Sequence, residues 1–452
     1  MTFLLLLLIF EVLALLYAFA LSKNDIMAPS VLMCIMFMIS TTFALLNYKN
    51  WNILYDPRAF MLIIGGLAVF ILSETVVRMI FKHKNEQVVL SAEHGVMGYS
   101  GVHCELYMLI LIALFNLVIS YWFFIKIRNI VGVRRISFSA IISIYRSLSN
   151  KNKENAGDNM VGGIIVQFLK IVKASGYVSG FALMSKVVEI GKRNNKSSVS
   201  KLELGLLIVI VLTSLFPSIM TAGRADILKF ASSLVIEYYI LWHQKNGWHR
   251  NLSTKYMRVG IVGVVGGIFL FYYSLSFLGR STDMDLFAYT SIYLGSSIQL
   301  FNLYVQNPRI SNSWGEESLV GIHKILSKIG LVEPSKFSNL EFRVLSETDG
   351  ASNIYTFFRR PLHDFGVLGM FVFTALVAVL FASIYYGMIK NRERSIKTDC
   401  WTLVYGYLYY WIVASSMLQY SGAYISFGTV SIIVSILLIF LGVQKIRIKI
   451  KS

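Results

Sequence analysis

TFLLLLLIFEVLALLYAFAL, Thr2 to Leu21, holds a single charged side chain, Glu11, in twenty residues. An α-helix rises about 1.5 Å per residue, so a run of ~20 apolar residues matches the ~30 Å hydrocarbon core of a bilayer. A secretory signal would carry a basic leader and a small-residue cleavage site. Neither is present and the apolar core is too long, so the stretch is read as a first membrane span.

Further apolar runs recur at 26–46, 59–80, 105–125, 165–190, 202–220, 225–242, 257–278, 364–389, 400–419 and 424–443. None shows the alternation of a barrel strand. Composition agrees: 56% of the 452 residues are hydrophobic and mean hydropathy is +0.63. The expectation is an all-α, polytopic transmembrane helix bundle of about eleven spans (ten to twelve), a single integral membrane domain over 1–452. Cys34, Cys104 and Cys400 lie far apart, in no CxxC or Cys/His cluster, so neither a disulfide framework nor zinc is expected.

The net charge is +18. In a soluble chain that excess would suggest nucleic acid; here much of it lies in short loops, where the positive-inside rule explains it. KIRIKIKS (445–452), KNRERSIK (390–397), HQKNGWHRNLSTKYMR (243–258) and GKRNNK (191–196) alternate onto one side, read as cytoplasm. Residues 279–363 then form a long extracytoplasmic loop before the last three spans, with eight Lys/Arg against eight Asp/Glu. Its first part, LFAYTSIYLGSSIQLFNLYV (286–305), is uncharged but holds Thr, Ser, Gln and Asn. A span there would put KNRERSIK outside, so an interfacial or re-entrant helix is expected. The same alternation places 126–164 outside. That loop carries Lys126, Arg128, Arg134, Arg135, Arg146, Lys151 and Lys153 against two acids. Either the count is off by one span or this charge serves an anionic ligand.

TAGRADILKF (221–230) sets Arg224 at a glycine-marked break between two apolar runs. It either snorkels to the headgroups or grips a phosphate with its guanidinium fork. NIYTFFRRPLHDFGVLGMF (353–371) packs Arg359, Arg360, Pro361, His363 and Asp364 ahead of a span. Pro361 suits a break before a helix, and Asp364 suits a helix N-terminus, where the dipole favours an anion. The two arginines either anchor the span or make an anion site there. Arg280, Arg309 and Arg343 are read singly as solvated loop charges; with Arg224, Arg359 and Arg360 they could surround one polyanion. Glu11, Glu74, Arg78, Lys170, Lys173, Lys186, Lys229 and Glu237 fall in or near spans, where such residues face the bundle interior, a cavity or an end. They form no paired acidic ladder of the kind a proton-driven transporter needs. No P-loop, Rossmann glycine fingerprint or HExxH is present.

The TAGR break, the long outer loop and NIYTFFRRPLHDFGVLG opening a late span together resemble the O-antigen polymerases, the oligosaccharide repeat-unit polymerases of bacterial surface polysaccharide synthesis. KNDIMAPSVLM (23–33), a polar turn before a proline-containing second span, fits the same pattern, and Arg146 and Gly157 stand at the Arg-x10-Gly spacing that some members carry in a basic outer loop. The resemblance is architectural over most of the chain and motif-level only in these stretches.

The resemblance implies a glycosyltransferase in the bacterial inner membrane that joins undecaprenyl-pyrophosphate-linked repeat units at the outer leaflet. Arg224, Arg280, Arg309, Arg359 and Arg360 would hold the pyrophosphate. Asn353 and Tyr355 would contact substrate, and Arg146 would attract it. His363 or Asp364 would serve as the base for the acceptor hydroxyl. Implied partners are the lipid-linked oligosaccharide, membrane lipids and a polysaccharide chain-length regulator, with no nucleic acid, metal or cofactor. Two other readings stay open. An O-antigen ligase uses a similar donor and a large outer loop. A lipid-linked oligosaccharide flippase would show short loops and two similar halves, which this chain lacks.

Overall fold

The computed structural model describes residues 1–91, 102, 104–132, 136–154, 160–190, 200–248, 266–267, 269, 272–275, 283–311, 313–332, 341–346 and 349–444. Arg280, Arg134, Arg135, Gly157, most of the expected span 257–278 and the basic stretches 191–196, 249–258 and 445–452 lie outside them. The chain is a polytopic membrane helix bundle. Its helices with described bounds are α1 (Thr2–Leu21), α2 (Pro29–Leu46), α3 (Pro57–Ser91), α4 (Leu106–Val131), α5 (Phe138–Glu154), α6 (Gly163–Ile190), α7 (Lys201–Met220), α8 (Arg224–Asn246), α9 (Leu286–Gln306), α10 (Val320–Lys328), α11 (Arg359–Ala382), α12 (Ile396–Val413), α13 (Ser421–Tyr424) and α14 (Phe427–Val443). A hairpin of β1 (Arg343–Ser346) and β2 (Gly350–Ser352) interrupts the long loop. Among the described residues, seven helices are long and apolar enough to cross a membrane: α1, α2, α3, α4, α6, α7 and α11 with its continuation to Ile389. The expected runs 225–242, 400–419 and 424–443 fall on α8, α12 and the shorter apolar helix α14.

Helix is the form that satisfies every backbone donor and acceptor within its own segment, which hydrocarbon demands. What sequence adds is a packing seam. In α1 the buried residues are Leu4, Leu7, Glu11 and Ala18, spaced for one face of a helix, while Ile9, Leu13 and Leu16 stay exposed. Glu11 is tolerated there because Thr41 of α2 donates to it at 2.9 Å. Glu74, Lys186 and Glu237 are likewise buried in the bundle interior.

The helix ends sort onto two faces. On one, the α1–α2 turn meets α8 and the end of α11, Lys186 of α6 pairs with Glu203 of α7 at 2.8 Å, and Val443 accepts from the Glu105 amide. On the other, Trp51 donates to Asp349, Asn302 donates to the Leu54 carbonyl, and the Phe357 amide donates to the Ser415 carbonyl. These are called the Asp25 face and the Tyr420 face. Helix α9 has both ends on the Tyr420 face: Tyr293 meets Arg224 at the start of α8, and Asn302 meets the 54–56 turn. It therefore lies across that face, seated on the end of α2. Gly295 makes the seat possible, since a Cβ there would stand 2.7 Å from Phe43 Cβ and 2.9 Å from the Ala44 nitrogen. Helix α5 packs on this face too. Its Ile141, Ile142 and Tyr145 join Phe123 and Ile127 of α4 with Met220 and Ala222 beside Arg224.

The Asp25 face is clasped by one carboxylate. Asp25 accepts from Tyr239 at 2.7 Å, Tyr385 at 2.7 Å and Lys390 at 2.5 Å, joining the α1–α2 turn, α8 and the π-helical end of α11 (Ser383–Ile389). Burial alone would raise this carboxyl; the Lys390 ammonium and the three donors outweigh it and hold it below the usual carboxylate range. The clasp's contribution is therefore present at neutral pH and is lost only as pH falls through that lowered value. Asp25→Asn leaves the Lys390 ammonium without its counter-charge and is expected to cost about 3–5 kcal/mol. The check is a fall in Tm in detergent at pH 7 that narrows as the pH is taken below 4.

Candidate functional site

Residues 359–364 are delivered to the Tyr420 face by a short helical turn ahead of the long part of α11. Gly366 separates the two, with φ 68° and ψ −171°, a conformation open to glycine and costly for other residues. Asp364 therefore does not sit in the first turn at the N-terminus of a continuous helix, as its sequence position suggested. Its carboxylate instead accepts the backbone N–H groups of Glu317 at 3.2 Å and Ser318 at 2.6 Å, pinning the 314–318 turn to α11.

Arg359 is fully buried. Its guanidinium bonds Glu317, approaches Glu341 at 3.6 Å, and stacks over Tyr304 at 4.6 Å and Tyr355 at 5.1 Å. Arg343 shares Glu341 at 2.8 Å and donates to the carbonyls of Leu303 and Asn307 at the end of α9. Tyr355 anchors the same group by donating to the Glu341 carbonyl, and burial raises its phenol above the usual value. His363 is enclosed as well. Its Nδ1 lies 3.1 Å from the Tyr304 hydroxyl, and its Nε2 lies 2.8 Å from Glu316 and 3.7 Å from Glu317. The donor atoms of Glu316, Glu317 and His363 lie within 4.8 Å of one another, close enough for a cation. The Arg359 guanidinium already supplies Glu317 with its positive charge.

A second group lies at the other end of α9. Arg224 is buried, donates to the Tyr293 hydroxyl at 3.0 Å and stands over the Tyr289 and Tyr293 rings. Two residues on, Asp226 pairs with Lys173 at 2.8 Å and Lys229 at 3.4 Å. Lys229 lies 5.0 Å from the Tyr420 ring centroid and 5.9 Å from that of Tyr424. Arg360 reaches the same turn: its Nη1 contacts the Glu317 carbonyl at 3.3 Å and would stand 3.2 Å from a Cβ on Gly422. The 420–424 turn is thus flanked by cations from α8 and α11, with one carboxylate, Asp226, between the two lysines. A recess beside it is lined by Lys173, Tyr177, Ser214, Ser218 and Asp226.

Among the described residues, the arginines do not form one ring. Tyr293 under Arg224 and Tyr304 under Arg359 are eleven residues apart on α9, about 16 Å at the helical rise. Arg309 is exposed, Arg146 is half-buried on α5, and Asn353 is half-buried beside β2. Sequence reading passed over Glu316, Glu317 and Glu341, Tyr304 and Tyr420, and it gave Lys173 and Lys229 no role. The signal available for the first pair was that Glu316-Glu317 is the one adjacent pair of acids in the long loop.

Glu317→Ala strands the buried Arg359 charge and is expected to cost about 3–5 kcal/mol. The double substitution Glu317→Leu with Arg359→Met removes both charges and is expected to cost less than the single one, as read by Tm in detergent.

No family model, curated protein or solved structure matches this chain.

Proposed function

We propose that this protein is a polymerase that joins polyprenyl-pyrophosphate-linked oligosaccharide repeat units, of the O-antigen polymerase kind, on the outer surface of a bacterial inner membrane. The observation that carries the reading is the approach of Arg360 and Lys229 to one turn, 420–424, on the face that also presents Arg224 and the long loop. The leaving group of such a transfer is a lipid pyrophosphate. Its charge develops where headgroups meet water, and preorganised guanidinium and ammonium groups stabilise it there without reorganising.

Orientation follows from charge. KNRERSIK and the 243–248 segment belong to the Asp25 face, so the positive-inside rule assigns that face to the cytoplasm and the Tyr420 face to the outside. The basic helix α5 then lies outside, next to the Arg224 turn, where topology offers no reason for its charge. Attraction of an anionic lipid-linked substrate supplies one. The growing chain would pass from its carrier to a hydroxyl at the non-reducing end of the incoming unit. In this scheme Arg360, Lys229 and Arg224 meet phosphate, while Arg359 supports them from the buried side.

The direct test is purified protein with a defined lipid-linked repeat unit, scored for oligomers. Arg360→Ala and Arg224→Ala should each lower polymer formation about 10²–10³-fold while the protein remains in the membrane; unchanged chain-length ladders from both would end this assignment. For orientation, Lys151→Cys should react with an impermeant thiol reagent in intact spheroplasts and Lys397→Cys only after lysis. The opposite pattern would invert the molecule and remove the site from the outer leaflet.

A further inference from the structure

We infer that Glu316, oriented by a Tyr304–His363 relay, is the group that takes the proton from the acceptor sugar hydroxyl; this rests on the polymerase reading. A base for that step needs a free lone pair facing the substrate, and most titratable groups beside Arg360 lack one. The His363 side chain has no exposed surface, and both of its ring nitrogens are engaged. Both Asp364 oxygens accept backbone amides. Glu317 is held by Arg359, and Glu341 lies between Arg343 and Arg359.

Glu316 differs in two ways. Its side chain keeps 16% of its surface exposed, and among the described residues its ion-pair partner is an imidazole, with no arginine or lysine within 4.0 Å. The bonds around it have a consistent direction. With the ring proton on Nε2, His363 donates to Glu316 Oε1 at 2.8 Å and accepts the Tyr304 hydroxyl at Nδ1 at 3.1 Å. Tyr304 is itself locked under the Arg359 and Arg343 guanidiniums. The relay fixes one carboxylate oxygen and the rotamer, leaving the other oxygen for substrate. The adjacent residue's carbonyl touches Arg360, so base and phosphate-binding cation are set by neighbouring positions of one turn.

The step balances without a further reactant. The acceptor O–H proton passes to Glu316, and the hydroxyl oxygen bonds the anomeric carbon of the growing chain. The bond from that carbon to the pyrophosphate oxygen breaks, and its electron pair leaves on the lipid pyrophosphate. The proton returns to water when product departs. A single displacement of this kind inverts the anomeric configuration. His363 and Tyr304 are positioning residues; Glu316 is the catalytic one.

The test uses the full chain in lipid nanodiscs with the lipid-linked repeat unit, each variant first matched to wild type in Tm. Glu316→Gln should lower transfer about 10²–10⁴-fold while donor binding stays within about threefold. Glu316→Ala should regain transfer on adding formate, a small carboxylate that fills the vacated place. His363→Gln should lower kcat and leave KM nearly unchanged. The inference is overturned if Glu316→Gln turns over within about threefold of wild type, or if formate fails to restore a Glu316→Ala variant that still binds donor. Retention of anomeric configuration overturns it as well, as does loss of wild-type transfer in chelator with recovery on Mn²⁺, which would make the carboxylate a metal ligand. A wild type that forms no oligomers at all fails differently, because it removes the polymerase reading and this inference with it.

Discussion

The buried Arg359 guanidinium is the constraint on which the Tyr420 face depends. It has no exposed surface, so its charge must be met inside the protein, and α9, the 314–318 turn and both ends of the hairpin supply the partners. Glu317 comes from the 314–318 turn, Glu341 from the foot of the hairpin, and the Tyr304 and Tyr355 rings from α9 and the strand exit. An unpaired charge in that position would be costly enough to forbid other arrangements of the loop. The long loop is thereby tied at several points to the start of α11, and the residues that flank the 420–424 turn inherit their positions from it.

The two faces solve the same problem with opposite chemistry. At the Asp25 face one carboxylate collects a lysine and two tyrosine hydroxyls and joins three segments. At the Tyr420 face the buried centre is a cation and the carboxylates come to it. Between them the helices pack by apolar seams, with single acids such as Glu11 and Glu74 met by hydroxyl or amide donors. Cations outside these two buried centres, Arg360 and the Asp226-paired Lys229 among them, cluster at the end of the bundle where α9 lies across it.

Sequence legibility followed the physics of each feature. The spans were legible because burial in hydrocarbon imposes long apolar runs, and α1, α2, α3, α4, α6, α7 and α11 meet that condition. Arg224 and the Arg359–Asp364 stretch stood out because charge beside a span is expensive wherever it lies. Their division of labour did not. Arg359 and Arg360 are adjacent in sequence, yet one is buried against carboxylates and the other reaches toward Gly422. His363 read as an available base, but its environment closes both nitrogens. Asp364 read as a helix cap, but the Gly366 break hands it to a loop.

By itself, the sequence determined the polytopic helical class and the segments that carry basic charge, since both follow from local composition and the cost of placing polar groups in lipid. It could not determine which charges cancel. That was decided by tertiary structure, because ion pairing depends on distance through space. Glu317 lies forty-two residues from the arginine it neutralises, and Glu316 lies forty-seven from the histidine that orients it. The Asp364 carboxylate, by accepting the Glu317 and Ser318 amides, holds the 314–318 turn against the start of α11 and keeps those partners within reach.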